Sequence, residues 1–167
     1  MATEEHRAKA ADQSARCAVL TISDTRSEAD DTSGRLIREA LTQAGHTVAA
    51  YTIVRDEPDQ IDAVIRRWVS EKLDVVITSG GTGIARRDTT IEVVERIIEK
   101  KLDGFGELFR MLSYEQVQAA AMLSRAVAGL AGETLIFAMP GSRNAVKLGM
   151  EKLIVSELKH LVWERRR

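Results

Sequence analysis

Short apolar runs that lack helical period alternate with segments that have it, and this alternation constrains the fold more than any other feature of the chain. Cys17-Ala-Val-Leu-Thr-Ile-Ser23 is bounded by turn-forming residues and predicts a buried strand. Thr32 to Gly45 then places Leu36, Ile37, Ala40, Leu41 and Ala44 on one helical face, with Gly45 as a stop. A second strand is expected over about residues 47–54, followed by a helix from Pro58, whose fixed φ suits a first helical position. Ile61, Val64, Ile65, Trp68 and Val69 stripe that helix. Asp74-Val-Val-Ile-Thr78 predicts a third strand and runs straight into Ser79-Gly-Gly-Thr-Gly83. Thr89 and Glu92 have the spacing of a capping box for a helix carrying Ile91, Val94 and Ile98 inward. Phe105, Leu108, Phe109 and Leu112 repeat the helical spacing, and Glu133 to Met139 predicts a late strand. Val146, Met150, Leu153, Ile154, Leu158 and Leu161 stripe a C-terminal helix. Strands alternating with helices predict an α/β fold, a three-layer, mostly parallel sheet flanked by helices on both faces.

The 167 residues suit one domain, expected over residues 15–167, without internal repeat or linker. Residues 1–14 are polar and alanine-rich, lack the apolar segment of a signal peptide, and are expected to form a disordered leader. No apolar run approaches the roughly 18 residues a membrane helix needs. A net charge of −1 removes the electrostatic reason to expect nucleic acid or an anionic membrane as partner. A cytoplasmic location is therefore expected. The single cysteine, Cys17, excludes an internal disulfide and is expected as a buried core thiol. His6, His46 and His160 are scattered and show no metal-ligand spacing, and neither a Ser/His/Asp set nor Cys-x-x-Cys is present. The terminal Glu164-Arg-Arg-Arg167 is expected as a solvated helix end.

In open α/β sheets ligands bind beyond the carboxyl ends of the strands, and the polar loops of this chain fall there. Gly80, Gly81 and Gly83 let the backbone approach a ligand and turn N–H groups toward it, while Thr82 adds a hydroxyl. A tight strand-to-helix turn would use the same glycines. The segment is neither a Walker A nor a G-x-G-x-x-G sequence. Arg86-Arg87-Asp88 stands just before the next helix and suits phosphate binding plus a metal ligand, although Asp88 would also serve as a cap. Asp56, in Arg55-Asp56-Glu57-Pro58, is open to the same two readings. Asp56 and Asp88 follow neighbouring strand candidates, so one cleft could receive both, and Mg²⁺ in nucleotide sites takes one or two carboxylates plus phosphate oxygens. The first loop offers Ser23, Asp24, Thr25, Arg26 and Ser27, then Asp30, Asp31, Thr32 and Ser33, as helix caps or as partners for a polar heterocycle. Ser113, Ser124 and Arg125 add polar candidates, and Pro140, Gly141 and Ser142 end the late strand in another backbone-exposing loop.

Together these loops resemble the MoaB/Mog family of molybdenum cofactor biosynthesis proteins. The resemblance runs from about Cys17 to Trp163 through Thr21-Ile-Ser-Asp24, Asp31-Thr-Ser-Gly34, Ser79-Gly-Gly-Thr-Gly83, Arg87-Asp88 and Glu92. Gly104-Phe-Gly-Glu-Leu-Phe-Arg110, Leu112-Ser113, Ser124-Arg125-Ala126 and Pro140-Gly-Ser142 complete it, and Gly104 to Ser113 with Ser142-Arg143-Asn144-Ala145 looks closest to the MoaB branch. The chain departs from the family's usual Thr-Pro-Glu in having Thr90-Ile91-Glu92.

The resemblance implies a molybdopterin-binding fold, a homotrimer or homohexamer, and other proteins of the pathway as partners. It also implies the reaction of ATP with molybdopterin to give adenylyl-molybdopterin and pyrophosphate. It puts Asp56 and Asp88 on Mg²⁺ and in catalysis, the glycine loop on ligand phosphate, and the first loop with the Ser113 and Ser124 regions around nucleotide or pterin. Some MoaB-branch relatives lack an intact acid pair and do not adenylate, which leaves a non-catalytic molybdopterin carrier as the alternative. A related domain also occurs in pyridine-nucleotide deamidases.

Overall fold

A computed structural model describes residues 2–167. Six strands, β1 (Arg16–Ile22), β2 (Thr47–Val54), β3 (Val75–Ser79), β4 (Lys100–Lys101), β5 (Val127–Ala131) and β6 (Thr134–Met139), form one sheet. Their order is β2-β1-β3-β6-β5-β4. The first four strands in that order run parallel, and β5 and β4 are antiparallel additions at one edge.

The unbroken apolar runs have a simple cause. Successive strand residues point to opposite faces, and both faces are covered. Cys17, Val19, Val75, Ile77, Phe137 and Met139 belong to one core, with α2 (Thr32–Gln43), α5 (Asp103–Val117), α6 (Arg143–Gly149) and α7 (Val155–Glu164) over it. Ala18, Leu20, Ile22, Val76, Ile136 and Ala138 face α3 (Pro58–Ser70) and α4 (Thr90–Ile97). Trp68 of α3 is fully enclosed there; truncation to alanine at such a site costs about 3–5 kcal/mol. Cys17 is buried as expected, and desolvation pushes its thiol up to about 12.

Five features differ from expectation. Residues 2–10, expected within a disordered leader, form α1 (Ala2–Ala10), while Met1 of that leader lies outside the described residues. The segment is only weakly amphipathic, so tertiary contacts hold it: Ala10 is buried, Arg7 pairs with Glu157, and the His6 ring lies 4.9 Å from that of Trp163. The expected capping box does not form. Thr89 caps α4 without a side-chain bond to the helix, because its hydroxyl faces Asp56, and Glu92 pairs with Arg125. The late strand is half of a hairpin whose first arm, β5, was not anticipated; Gly132, at φ +56°, opens its turn. The C-terminal helix is interrupted by a π-helical turn at Met150–Ile154 that keeps both of its end residues buried. Finally, β2 and β3 are not neighbours in the sheet, because β1 lies between them.

Candidate functional site

From β1 the chain passes to β2 on one side, and from β3 it moves toward β6 on the other. The carboxyl ends of β1 and β3 therefore border the crevice that open α/β sheets use for ligands. Four loops meet there: residues 23–31 after β1, 55–57 after β2, 80–89 after β3 and 140–142 after β6.

The glycine loop forms its floor. Gly80 has φ +98°, and a β-carbon there would run into the Ile22 carbonyl, so no other residue fits. Gly81, at φ +66°, passes against Asp56, whose Oδ2 would lie 2.9 Å from an added β-carbon, and against the Thr90 hydroxyl. The loop after β6 packs behind it: an added β-carbon on Gly141 would lie 3.0 Å from Gly80 Cα. Ser33 at the start of α2 donates to the Gly141 carbonyl at 2.9 Å, and Ser142 caps α6 through Ala145 N–H at 3.2 Å.

The two acids expected on a metal both reach this floor. Asp56 is buried and accepts from the Thr89 N–H and hydroxyl, each at 3.4 Å. Burial, helped by the charges of Asp88 and Asp24, pushes its carboxyl upward against the opposing Thr89 hydrogen bonds. Asp88 closes the 83–88 segment by accepting from Ala85 N–H at 3.0 Å, and its Oδ2 would lie 2.6 Å from a β-carbon on Gly83. Intervening β1 does not keep the two loops apart, because Asp56 accepts from Thr89, the residue after Asp88.

Of the two cations expected on phosphate, Arg87 is already engaged with acids. Arg87 makes a bidentate pair with Asp24, 2.8 Å and 2.9 Å, and reaches Glu57 at 3.2 Å. Asp24 in turn accepts from Asp56 N–H at 3.1 Å, so one ion-pair network joins three of the loops and holds the Asp24 carboxyl below its ordinary range. Arg125 donates to the Gly83 carbonyl at 2.8 Å while pairing with Glu92, fastening the glycine loop to α4. Arg86 is exposed at the rim.

Asp31 is placed to position rather than to touch a ligand. It is fully buried and accepts from the Thr21 hydroxyl (2.6 Å), the Tyr51 hydroxyl (2.6 Å) and Gly34 N–H (2.9 Å). Burial works against its charge, but these donors more than offset that, and the carboxyl lies below the usual range. Ser23 Oγ accepts from Arg26 N–H at 3.1 Å and shapes the first loop. That loop and the outer edge of β2 enclose a 470 Å³ hollow that includes Ser23, Asp24 and Arg55. A larger hollow, 850 Å³, lies between α2 and β2 around Arg38 and Tyr51, away from the strand ends.

Ser113 is buried in α5 with its hydroxyl on the Phe109 carbonyl at 2.8 Å, and Ser124 lies in the turn before β5; no hydrogen bond joins either to the four loops. Thr82 is buried in the glycine loop. Ser79 and Thr90, absent from the expected set, are buried at its two ends, and their hydroxyls lack a hydrogen-bond partner. Thr90 follows Asp88 by two residues, and that proximity was the available signal.

Residues 18–160 match the family described as "Probable molybdopterin binding domain". The chain belongs to this family. Within it, the chain is 51% identical over 166 residues to the molybdenum cofactor biosynthesis protein B of Bacillus anthracis, covering 98% of each. It superposes on a crystal structure of a molybdenum cofactor biosynthesis protein B with TM-score 0.88 at 50% identity, over 93% of this chain and 98% of that one. With the tungsten cofactor synthesizing protein MoaB of Pyrococcus furiosus the TM-score is 0.85 at 41% identity, over 93% and 99%. The MoaB/Mog resemblance and the α/β fold expected from the sequence therefore hold. No helix among the described residues is long and apolar enough to cross a membrane.

Proposed function

We propose that this member of the molybdopterin-binding family binds molybdopterin at the β1/β3 crevice and transfers AMP to it from ATP, releasing pyrophosphate. The convergence of Asp56 and Asp88 on the Gly81–Gly83 backbone carries this reading. In the reaction an oxygen of the molybdopterin phosphate bonds to the α-phosphorus of ATP as the bond to the bridging oxygen of pyrophosphate breaks. That nucleophile is already ionised at neutral pH, so no protein base is required, in keeping with a site that has no histidine. The protein's task is to align two anions and neutralise the charge between them.

The residues fit Mg²⁺, which keeps several waters and takes few carboxylates. Asp56 is tied through Oδ1 and Asp88 through Oδ2, which leaves one oxygen on each for a cation. Bound there, the ion would withdraw charge from the α-phosphate. The glycine-loop N–H groups beyond Gly80, whose own donates to the Met139 carbonyl, would hold phosphate, with Arg86 adding charge at the rim. Purified protein mixed with molybdopterin, ATP and Mg²⁺ should yield pyrophosphate and adenylyl-molybdopterin; binding without either product sinks the proposal.

One observation favours the carrier reading. Arg87 is bound to Asp24 and Glu57 and is not free for phosphate. Asp56→Asn and Asp88→Asn separate the two: a carrier retains its molybdopterin affinity and has no turnover to lose, whereas the enzyme loses turnover by orders of magnitude. We further propose a homotrimer, or two trimers joined, because Leu108, Met111, Tyr114, Val117, Met122 and Leu123 leave an apolar surface on α5 and the turn after it.

A further inference from the structure

His6 on α1 and His160 and Glu164 on α7 come together at the surface, far from the crevice, with one ligand atom of each within 4.8 Å of the others. Among the described residues no other group of three or more such side chains meets this closely. We propose that these three side chains form a site for a first-row divalent transition ion of the zinc class, which staples the N-terminal helix to the C-terminal one.

The donor set suits that chemistry. Two imidazoles and a carboxylate are zinc ligands, with a fourth position left for water. His160 and Glu164 stand one helical turn apart on the same face of α7. His160 Nδ1 lies 3.0 Å from Glu157 Oε2, so the ring can donate there and keep its lone pair on Nε2. A carboxylate behind a ligating histidine orients the ring and raises its basicity. His6 Nδ1 lies 3.5 Å from Glu164 Oε2. Ligand atoms around zinc are about 3–3.5 Å apart, given bonds of about 2.1 Å, so ligand atoms within 4.8 Å of one another must draw in by about 1 Å on binding. His6, His160 and Glu164 are each partly exposed, and an ion can reach them.

A cation already lies at this position. The Arg167 guanidinium is 3.4 Å from His6 Nε2 and 3.3 Å from Glu164 Oε1. An incoming ion must displace it, which makes Arg167 a competitor. Cys17 and His46, the other soft donors, are buried elsewhere and do not compete.

The test uses untagged full-length protein stripped with chelator and titrated with Zn²⁺ against a chromophoric competitor, with thermal melting in parallel. One ion per chain and a rise in melting temperature are expected. His6→Ala and His160→Ala should each weaken binding by at least about tenfold, whereas Arg167→Gln should tighten it. Both histidines are partly exposed, so the unliganded variants should melt close to the unliganded parent. Absence of binding at tens of micromolar Zn²⁺, or undiminished affinity in either histidine variant, overturns the proposal.

Discussion

Removing the Asp31 carboxylate tests how far the crevice depends on a residue that cannot touch a ligand. Asp31→Ala removes the N-cap of α2, worth about 1 kcal/mol. It also leaves the Thr21 hydroxyl, 2% exposed, without a partner; orphaning such a group costs about 1–3 kcal/mol. Tyr51 is only half-buried and its hydroxyl can recover water, so its share is about 1 kcal/mol. The sum is about 3–5 kcal/mol, a large part of the roughly 5–15 kcal/mol that holds a domain together. Urea denaturation at fixed protein concentration should show it as a midpoint lower by about 2 M, for a slope near 2 kcal/mol/M. The effect must also depend on pH. Because the folded carboxyl lies below its ordinary value, its stabilisation is present above about pH 4 and lost as pH falls through the folded value. Parent and variant should therefore converge in acid. A loss under 1 kcal/mol at pH 7, or a Tyr51→Phe cost unchanged by Asp31→Ala, would refute the reasoning.

Further substitutions probe the floor, the acids and the outer surface. Gly81→Ala forces a left-handed φ on a residue with a β-carbon and presses it against Asp56 and Thr90; molybdopterin affinity measured by calorimetry should drop at least about tenfold, since such strain costs about 1–3 kcal/mol. Asp56→Asn should abolish adenylation while the melting temperature at pH 7 stays level or rises. The folded Asp56 carboxyl is raised, so its ionised form costs stability above that value, and the amide removes the cost. Met111→Lys with Leu108→Glu should shift sedimentation toward monomer, because both side chains lie on the exposed apolar face of α5. Arg125→Ala should loosen the glycine loop, seen as faster amide exchange near Gly83, with the fold retained.

The sheet and its helices were legible because β1, β3 and β6 are buried on both faces, leaving unbroken apolar runs that helical stripes must cover. What escaped were features decided by distant partners. Nothing local marks α1, whose order comes from α7. Thr89 has a capping-box partner three residues on, yet Asp56 from the other side of β1 competes for its hydroxyl. At the crevice, the glycine loop left a local mark in the sequence, whereas the pairing of Asp56 with Asp88 was read from an adjacency of β2 and β3 that the sheet does not have. Arg87 was read as a phosphate ligand, and Arg125 as a polar ligand candidate, because their counter-charges, Asp24, Glu57 and Glu92, are remote in sequence. The histidines showed no metal spacing for the same reason: His6 and His160 lie at opposite ends of the chain and meet only through the docking of α1.

Gly80 presses on the Ile22 carbonyl, and Gly141 presses on Gly80. Main chain stacked on main chain leaves no room at Gly80, and little at Gly141, for variation by side-chain replacement. Divergence at the crevice then falls on exposed border side chains outside the Asp24–Arg87 network, such as Thr25, Glu28, Ile84 and Arg86. A fixed bed with an editable margin is compatible with the architecture this chain shares with relatives named for molybdenum and for tungsten.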